Sequence, residues 1–395
     1  MCKWRMVSLD NVGRIVTGST PPSAVTGLWG NEVPFITPSE MEFGSRRPSV
    51  GRKLSEAGRR YLASRLLPDH AVCVTCIASI GKMCMTTEPS VTNQQVNSII
   101  VDSTHFDPAF VFYAVRHALP KIQSYAGGSV AAIINKSTFA GMEIRFPALA
   151  EQRAIAEVLG ALDDKIENCY RVANLADSLF LAEWHRRFSP IQDAPTGRLA
   201  DYCSTQYGYT ASATDNPKGP KFLRVMDINK TNWINWSRVP HCAPEATLLH
   251  RYGLKPGDIV VARMADPGQA ALVEEHVDAV FASYLVRLVP ARAGTSRFFY
   301  GFLKSKHYRD HVASHSAGSV QKNMNAKIIV DVDLAVPPHE ALIAFDTWAE
   351  PVRGRVVAAL KEAATAGRAR DTLLPKLLSG ELRVRDAANL VEEAI

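Results

Sequence analysis

Two stretches of the chain carry small or apolar residues at alternating steps of four and three. The first holds Ile155, Leu159, Leu162, Ile166, Cys169, Ala173, Ala176 and Phe180. The second holds Leu342, Phe345, Ala349, Val352, Val356, Ala359, Ala363 and Ala366, then Arg370. That spacing is a heptad seam and predicts two long helices, each packed lengthwise on another helix. A helix over 151–187 would reach roughly 55 Å at 1.5 Å per residue, too long to bury its seam in one small domain. Antiparallel pairing of the two helices buries both seams and places a globular domain at each end. Leu159, Leu162 and Ile166 are expected against Ala359, Ala363 and Ala366, or against Val352 and Val356. Pro351 and Gly354 are expected to weaken and kink the second helix.

Each seam follows a strand-like run that leaves through a proline, EIRFP before EQRAIAEVLGAL and DVDLAVP before PHEALIAFDTW. Upstream, VCVTCIA and VNSIIVD read as strands in the first half, and DIVVARM and VFASYLVRLV in the second. FDPAFVFYAVRHALPKIQSYA predicts a helix with an Asp-Pro start, and FFYGFLKSKHYRDHVASH repeats it. A shift of 190 residues lays GGSVAAIINKSTFAGMEIRFP (127–147) on AGSVQKNMNAKIIVDVDLAVP (317–337). The same shift pairs Gly18 with Gly208, Thr20 with Thr210, Phe112 with Phe302, and Asn135 with Asn325. Matches in chain order over nearly a whole half indicate duplication. The fold class is therefore α+β: two similar mixed domains, 1–150 and 189–337, separated by long antiparallel coiled-coil helices at 151–188 and 338–379, with a tail at 380–395.

Composition narrows the function. The chain has 395 residues, 21% charged and 47% apolar, and a net charge of +6, which suits globular domains and permits a polyanionic partner. Seven scattered cysteines, an odd number, fit a reducing cytoplasm. No secretory h-region and no run of about 18 apolar residues is present, so no membrane segment is expected.

Glycine loops for dinucleotides or phosphates are absent, as is any nucleophile–base set. Cys73 and Cys76 have half a zinc spacing but lie in an apolar run without a second pair. His307, His311 and His315 share one helical face, read as a solvated face rather than a metal site. No catalytic constellation is expected, and no metal.

Basic residues are more informative. Arg46, Arg47, Arg52, Lys53, Arg59, Arg60 and Arg65 stand against one acid, Glu56, and such groups supply phosphate affinity. Base reading needs polar groups on loops. TGSTPPS (17–23) and YGYTASA (207–213) offer Ser19 and Thr20, and Tyr207, Tyr209 and Thr210. SVAAIINK (129–136) and SVQKNMN (319–325) offer Ser129, Asn135 and Lys136, and Ser319, Gln321, Lys322, Asn323 and Asn325. Matching frames with different polar residues would recognise two different short sequences.

With Gly18-Ser19-Thr20-Pro21, PFITPSEM, TNQQVNSI, the proline-to-EQRAIA junction, SLFLAEWHRRFSP (178–190) and LLPKLLSGELRV (373–384), the chain resembles the specificity subunit of type I restriction–modification systems. The second junction, PPHEALI, lacks the usual Glu-Gln. The resemblance implies two target recognition domains, each reading half of a bipartite duplex DNA site. The helices would fix the unread gap and dock two methyltransferase subunits. S-adenosylmethionine, ATP and Mg would be bound by partner subunits, with restriction subunits joining through the methyltransferase. The different class left open by the residues is a duplicated coiled-coil scaffold that binds only protein.

Overall fold

Residues 4–22, 24–41, 45–124, 133–189, 196–229, 231–243, 246–316 and 323–394 are described by a computed structural model. Two units divide the chain, Met1–Glu167 with Thr365–Ile395, and Asn168–Ala364. Each holds one globular domain and a segment of both long helices.

The first unit is built on an antiparallel sheet in the order Gly13–Thr17, Val96–Val101, Val72–Thr75, Met83–Met85. The second unit repeats it as Cys203–Tyr207, Leu285–Pro290, Ile259–Ala262, Ala270–Leu272. Val72–Thr75 and Ile259–Ala262 are buried along their whole length, which explains their continuous apolar runs. Short antiparallel pairs close both domains, Arg5–Ser8 with Glu143–Phe146 and Thr196–Arg198 with Asp333–Ala335. VFASYLVRLV is not one strand: Ala279–Phe281 pairs in parallel with Lys221–Leu223 before the chain changes sheet. Ala282–Tyr284 is the crossing segment.

Helix Pro108–Ser124 starts as expected, with Asp107 Oδ1 accepting from the Phe110 amide at 2.8 Å. Its counterpart is interrupted, Ser296–Leu303 then Lys306–Ser316. The interruption corrects the pairing of Phe112 with Phe302. The offset varies along the domain, 190 between Gly13–Thr17 and Cys203–Tyr207, 187 between Val72–Thr75 and Ile259–Ala262 and 189 between Val96–Val101 and Leu285–Pro290; at 187 Tyr300 stands where Tyr113 does, and the residues at the break return the offset to 190.

The long helices are Leu149–Phe188 and His339–Ser379. The second runs unbroken through Pro351 and Gly354, both exposed. Facing residues fall in opposite order: Asp163 meets Arg370 and Ile166 meets Gly367 in the first unit, and Cys169 meets Glu362 and Asp177 meets Arg353 in the second. The pairing is antiparallel in both units. Leu159 and Leu162 share a core with Ala366, Leu373 and Leu377, with Ile166 against it. Neither expected register is met in full: of the alanines only Ala366 joins that core, Ala359 and Ala363 lie on the second unit's stretch of the helix, and Val352 belongs to the other core with Phe180 and Phe345. Residues 380–395 are not a plain tail. Gly380 (φ 75°) ends the long helix in the left-handed conformation, and helix Val384–Ala394 folds back to bury Ala387 and Val391 on the first core.

A buried charged clasp joins domain and helices in each unit. Tyr113 donates to Asp163 at 2.7 Å, and Arg370 donates to the same carboxylate. In the second unit Arg353, 1% exposed, holds Glu274 through two bonds of 2.7 Å and also Asp177, with its guanidinium 5.2 Å from the Tyr300 ring centre. Burial pulls the guanidinium down, but Tyr300, Glu274 and Asp177 more than offset this and hold it above its ordinary value.

Lys304 Nζ lies buried beside this clasp, 5.5 Å from the Tyr300 ring centre and without a hydrogen-bond partner. Burial pulls its pKa down to about 8. The unfolded chain keeps that proton to about pH 10, so the charged form costs stability below pH 8 and the cost fades as pH rises from 8 toward 10. In denaturant titrations the native chain should gain on Lys304→Met over that window, by up to about 3 kcal/mol. A difference independent of pH would show the ammonium reaching water.

Candidate nucleic-acid interface

Four segments meet on each domain through one backbone pattern. In the first unit Gly18 N donates to Val96 O (3.1 Å), Ser19 N to Thr92 O (2.8 Å), Cys76 N to Gln95 O (2.8 Å) and Ile134 N to Cys76 O (2.8 Å). In the second, Gly208 N donates to Leu285 O (3.2 Å), Tyr209 N to Phe281 O (2.8 Å), Arg263 N to Tyr284 O (3.0 Å) and Met324 N to Arg263 O (2.9 Å). Glycine is required at the crossing. A Cβ at Gly18 would stand 2.2 Å from Thr92 O, and one at Gly208 2.2 Å from Ala282 O. The hairpin turns share a strained residue at the same place, Ala78 at φ 62° and Ala265 at φ 65°. Strain of this kind persists where the surroundings impose it, and it concentrates at functional sites.

On this common frame the side chains differ. In the first unit Thr17 donates to Asn97 Oδ1 at 2.7 Å and Thr20 to Gln94 Oε1 at 2.7 Å; Gln94 and Thr20 are exposed. In the second unit Tyr207 and Tyr284 are 42% and 55% exposed, an aromatic face in place of an amide one. The Arg263 guanidinium lies 5.1 Å from the Tyr207 ring centre and donates to Asn323 Oδ1 at 3.2 Å. Two residues singled out in the sequence, Tyr207 and Asn323, are thus brought together by one that was not.

Other candidates are placed differently. Asn135 and Asn325 cap short helices, accepting from Thr138 N (2.8 Å) and Ile328 N (2.9 Å), so their carbonyl oxygens serve the backbone. Lys136 follows the first cap, exposed. Tyr209 packs on Tyr252, ring centres 5.7 Å apart; Ser19 belongs to the frame through its amide, and Thr210 follows it, exposed. Arg46 and Arg47 turn to the long helix, Arg46 onto Asp164 and Arg47 onto Glu167 at 3.1 Å. They are braces between domain and helix, because carboxylates on the helix offer a nearer partner than solvent. Arg59 and Arg60 stay exposed on helix Glu56–Tyr61. Ser129, Ser319, Gln321 and Lys322 lie outside the described residues.

The hairpin turns at 76–81 and 263–268, and the crossings at 93–95 and 282–284, carry no motif of their own: TNQQ stands out only through the family resemblance, and Tyr284 lies within the strand-like run VFASYLVRLV. Their signal is the shared φ and bonding pattern, which a single sequence does not display.

The second unit also has an open polar cavity of about 530 Å³, lined by Lys221, Arg224, Arg238 and His241 with a single acid, Asp215. It begins where the 207–213 loop ends. His311 and His307 bond backbone oxygens, of Ile328 at 2.8 Å and Asp333 at 2.9 Å. Among the described residues no three His, Cys, Asp or Glu side chains are grouped to hold a metal, and no helix is long and apolar enough to cross a membrane.

The domain family described as type I restriction modification DNA specificity domain matches residues 1–173. The type I restriction enzyme MjaIX specificity subunit of Methanocaldococcus jannaschii is 23% identical over 97% of this chain and 94% of its own. The HindI specificity subunit of Haemophilus influenzae is 31% identical over 45% of this chain and 40% of its own. Among solved structures, the type I restriction–modification S subunit from M. genitalium superposes with a TM-score of 0.55, at 16% identity, over 95% of this chain and 96% of that one.

Proposed function

We propose, from the match of the type I restriction modification DNA specificity domain to residues 1–173 and the likeness to the MjaIX specificity subunit along nearly its whole length, that this chain is a specificity subunit of a type I restriction–modification system and reads a bipartite duplex DNA site, one half with each domain. The observation that carries the proposal is the duplicated backbone frame bearing unlike side chains, amides and hydroxyls in one unit and Tyr207, Tyr284, Arg263 and Asn323 in the other. An identical frame serves one kind of ligand. Divergent side chains select different versions of it. As a member of this family the chain is a non-catalytic component. Methyltransferase subunits, two of them, dock on the helical region and carry S-adenosylmethionine; restriction subunits join through them and use ATP and Mg.

Exchange of residues 1–147 for those of a relative tests the division of reading. Mapping of methylated adenines in a host expressing the complex should show one half-site changed and the other kept. Change in both halves would sink the proposal.

Side chains should separate by role. Arg263→Ala or Asn323→Ala should relax discrimination at a base pair of the second half-site, by about 1–3 kcal/mol. Arg59→Ala or Arg60→Ala should weaken all duplexes alike and lower the salt slope by about one unit for each phosphate left without its cation. The Lys221–Arg238 cavity suits another backbone phosphate. Competition binding with matched and mismatched duplexes decides. Equal losses on both for Arg263→Ala would make it a phosphate contact.

A further inference from the structure

The two clasps have one polarity. The first long helix supplies the carboxylate each time, Asp163 and Asp177, and the second the guanidinium, Arg370 and Arg353. All four are buried, at 6%, 2%, 6% and 1% exposure. Apart from Cys169, which meets Glu362, the remaining seam is aliphatic, aromatic or alanine on both helices, and would accept either helix as partner.

We infer that these buried charges form a pairing code, which admits the first long helix against the second and rejects two copies of the same helix. The duplication makes the consequence explicit. Shifted by 190 residues, Arg353 takes the place of Asp163. Two first helices paired in the same antiparallel register would set Asp163 of one copy against Asp177 of the other. Two second helices would set Arg370 against Arg353. The first pairing buries two carboxylates with no cation between them, and the second sets two guanidiniums together with only Glu274 and the exposed Asp371 to balance them; either is costlier than the matched pair. A chain whose halves descend from one unit needs such a device, because shape alone does not tell the helices apart. The inference concerns helix partnership and stands whether or not the domains read DNA.

Single reversals in full-length chains test it. Asp163→Arg and Arg370→Asp are made separately, with different affinity tags, and expressed alone and together. Alone, each chain confronts like charges in its own helix pair, and soluble yield should fall about ten-fold or more. Together, the altered first helix of one chain matches the altered second helix of the other. The two tags should then copurify in equal amounts, about ten-fold above two differently tagged native chains. A third chain carrying both reversals should recover to within about two-fold of native yield. The code is overturned if either single variant matches the native chain in yield and monodispersity. It is equally overturned if co-expression leaves the tags separate, or if the double variant stays as poor as the singles.

Discussion

Arg353→Met lowers the stability of the second unit by about 3–5 kcal/mol. The guanidinium is 1% exposed and bonds Glu274 twice at 2.7 Å as well as Asp177, which itself accepts from Asn232 at 2.7 Å. Its removal leaves two carboxylates buried with no counter-charge except Lys304, whose own proton is weakly held. The cost is that of unpaired burial, not of one missing bond. Methionine keeps most of the volume between Phe180 and Tyr300, so the cavity contribution stays small. The triple change Arg353→Met, Glu274→Leu, Asp177→Leu should recover most of the stability, because apolar replacement of a whole buried ion cluster is often near neutral. Denaturant midpoints at pH 7 measure both. A drop below about 1 kcal/mol for the single change would mean that water reaches the carboxylates.

Lengthening both long helices by one heptad should lengthen the unread gap of the DNA site and nothing else. Insertions after Glu167 and after Ala364 fall at the boundary between the units and keep both seams in phase. Seven residues add up to roughly 10 Å of helix, equivalent to about three base pairs at 3.4 Å each. The second reading face must also follow the groove by roughly 100°, at about ten base pairs per turn, so affinity should fall, in the extreme below detection. In variants that still methylate, both half-site sequences persist and only the gap grows. A methylating variant with its original gap would show that the helices do not set the spacing. Insertion in one helix alone breaks the seam and should abolish soluble expression.

Much of this protein was legible in its residues. The heptad seam at Leu159, Leu162, Val356, Ala359 and Ala363 determined two long paired helices, since apolar residues at that spacing have no other way out of water. The 190-residue repeat determined two like domains and paired Gly18 with Gly208, while the close crossing that requires glycine at both belongs to the structure. Tertiary structure decided what depends on partners distant in sequence. Asn135 and Asn325 carry the chemistry of base readers, but a helix start three residues on claims their oxygens. Arg46 and Arg47 sit in a basic cluster, but folding sets them against Asp164 and Glu167 more than a hundred residues away. Arg263, inside an apolar run, joins Tyr207 and Asn323 because a hairpin turn lifts it beside them. Side-chain type and local period are properties of a segment, so the sequence carries them. Whether a polar group meets solvent, backbone or an opposite charge is settled only when the whole chain closes around it.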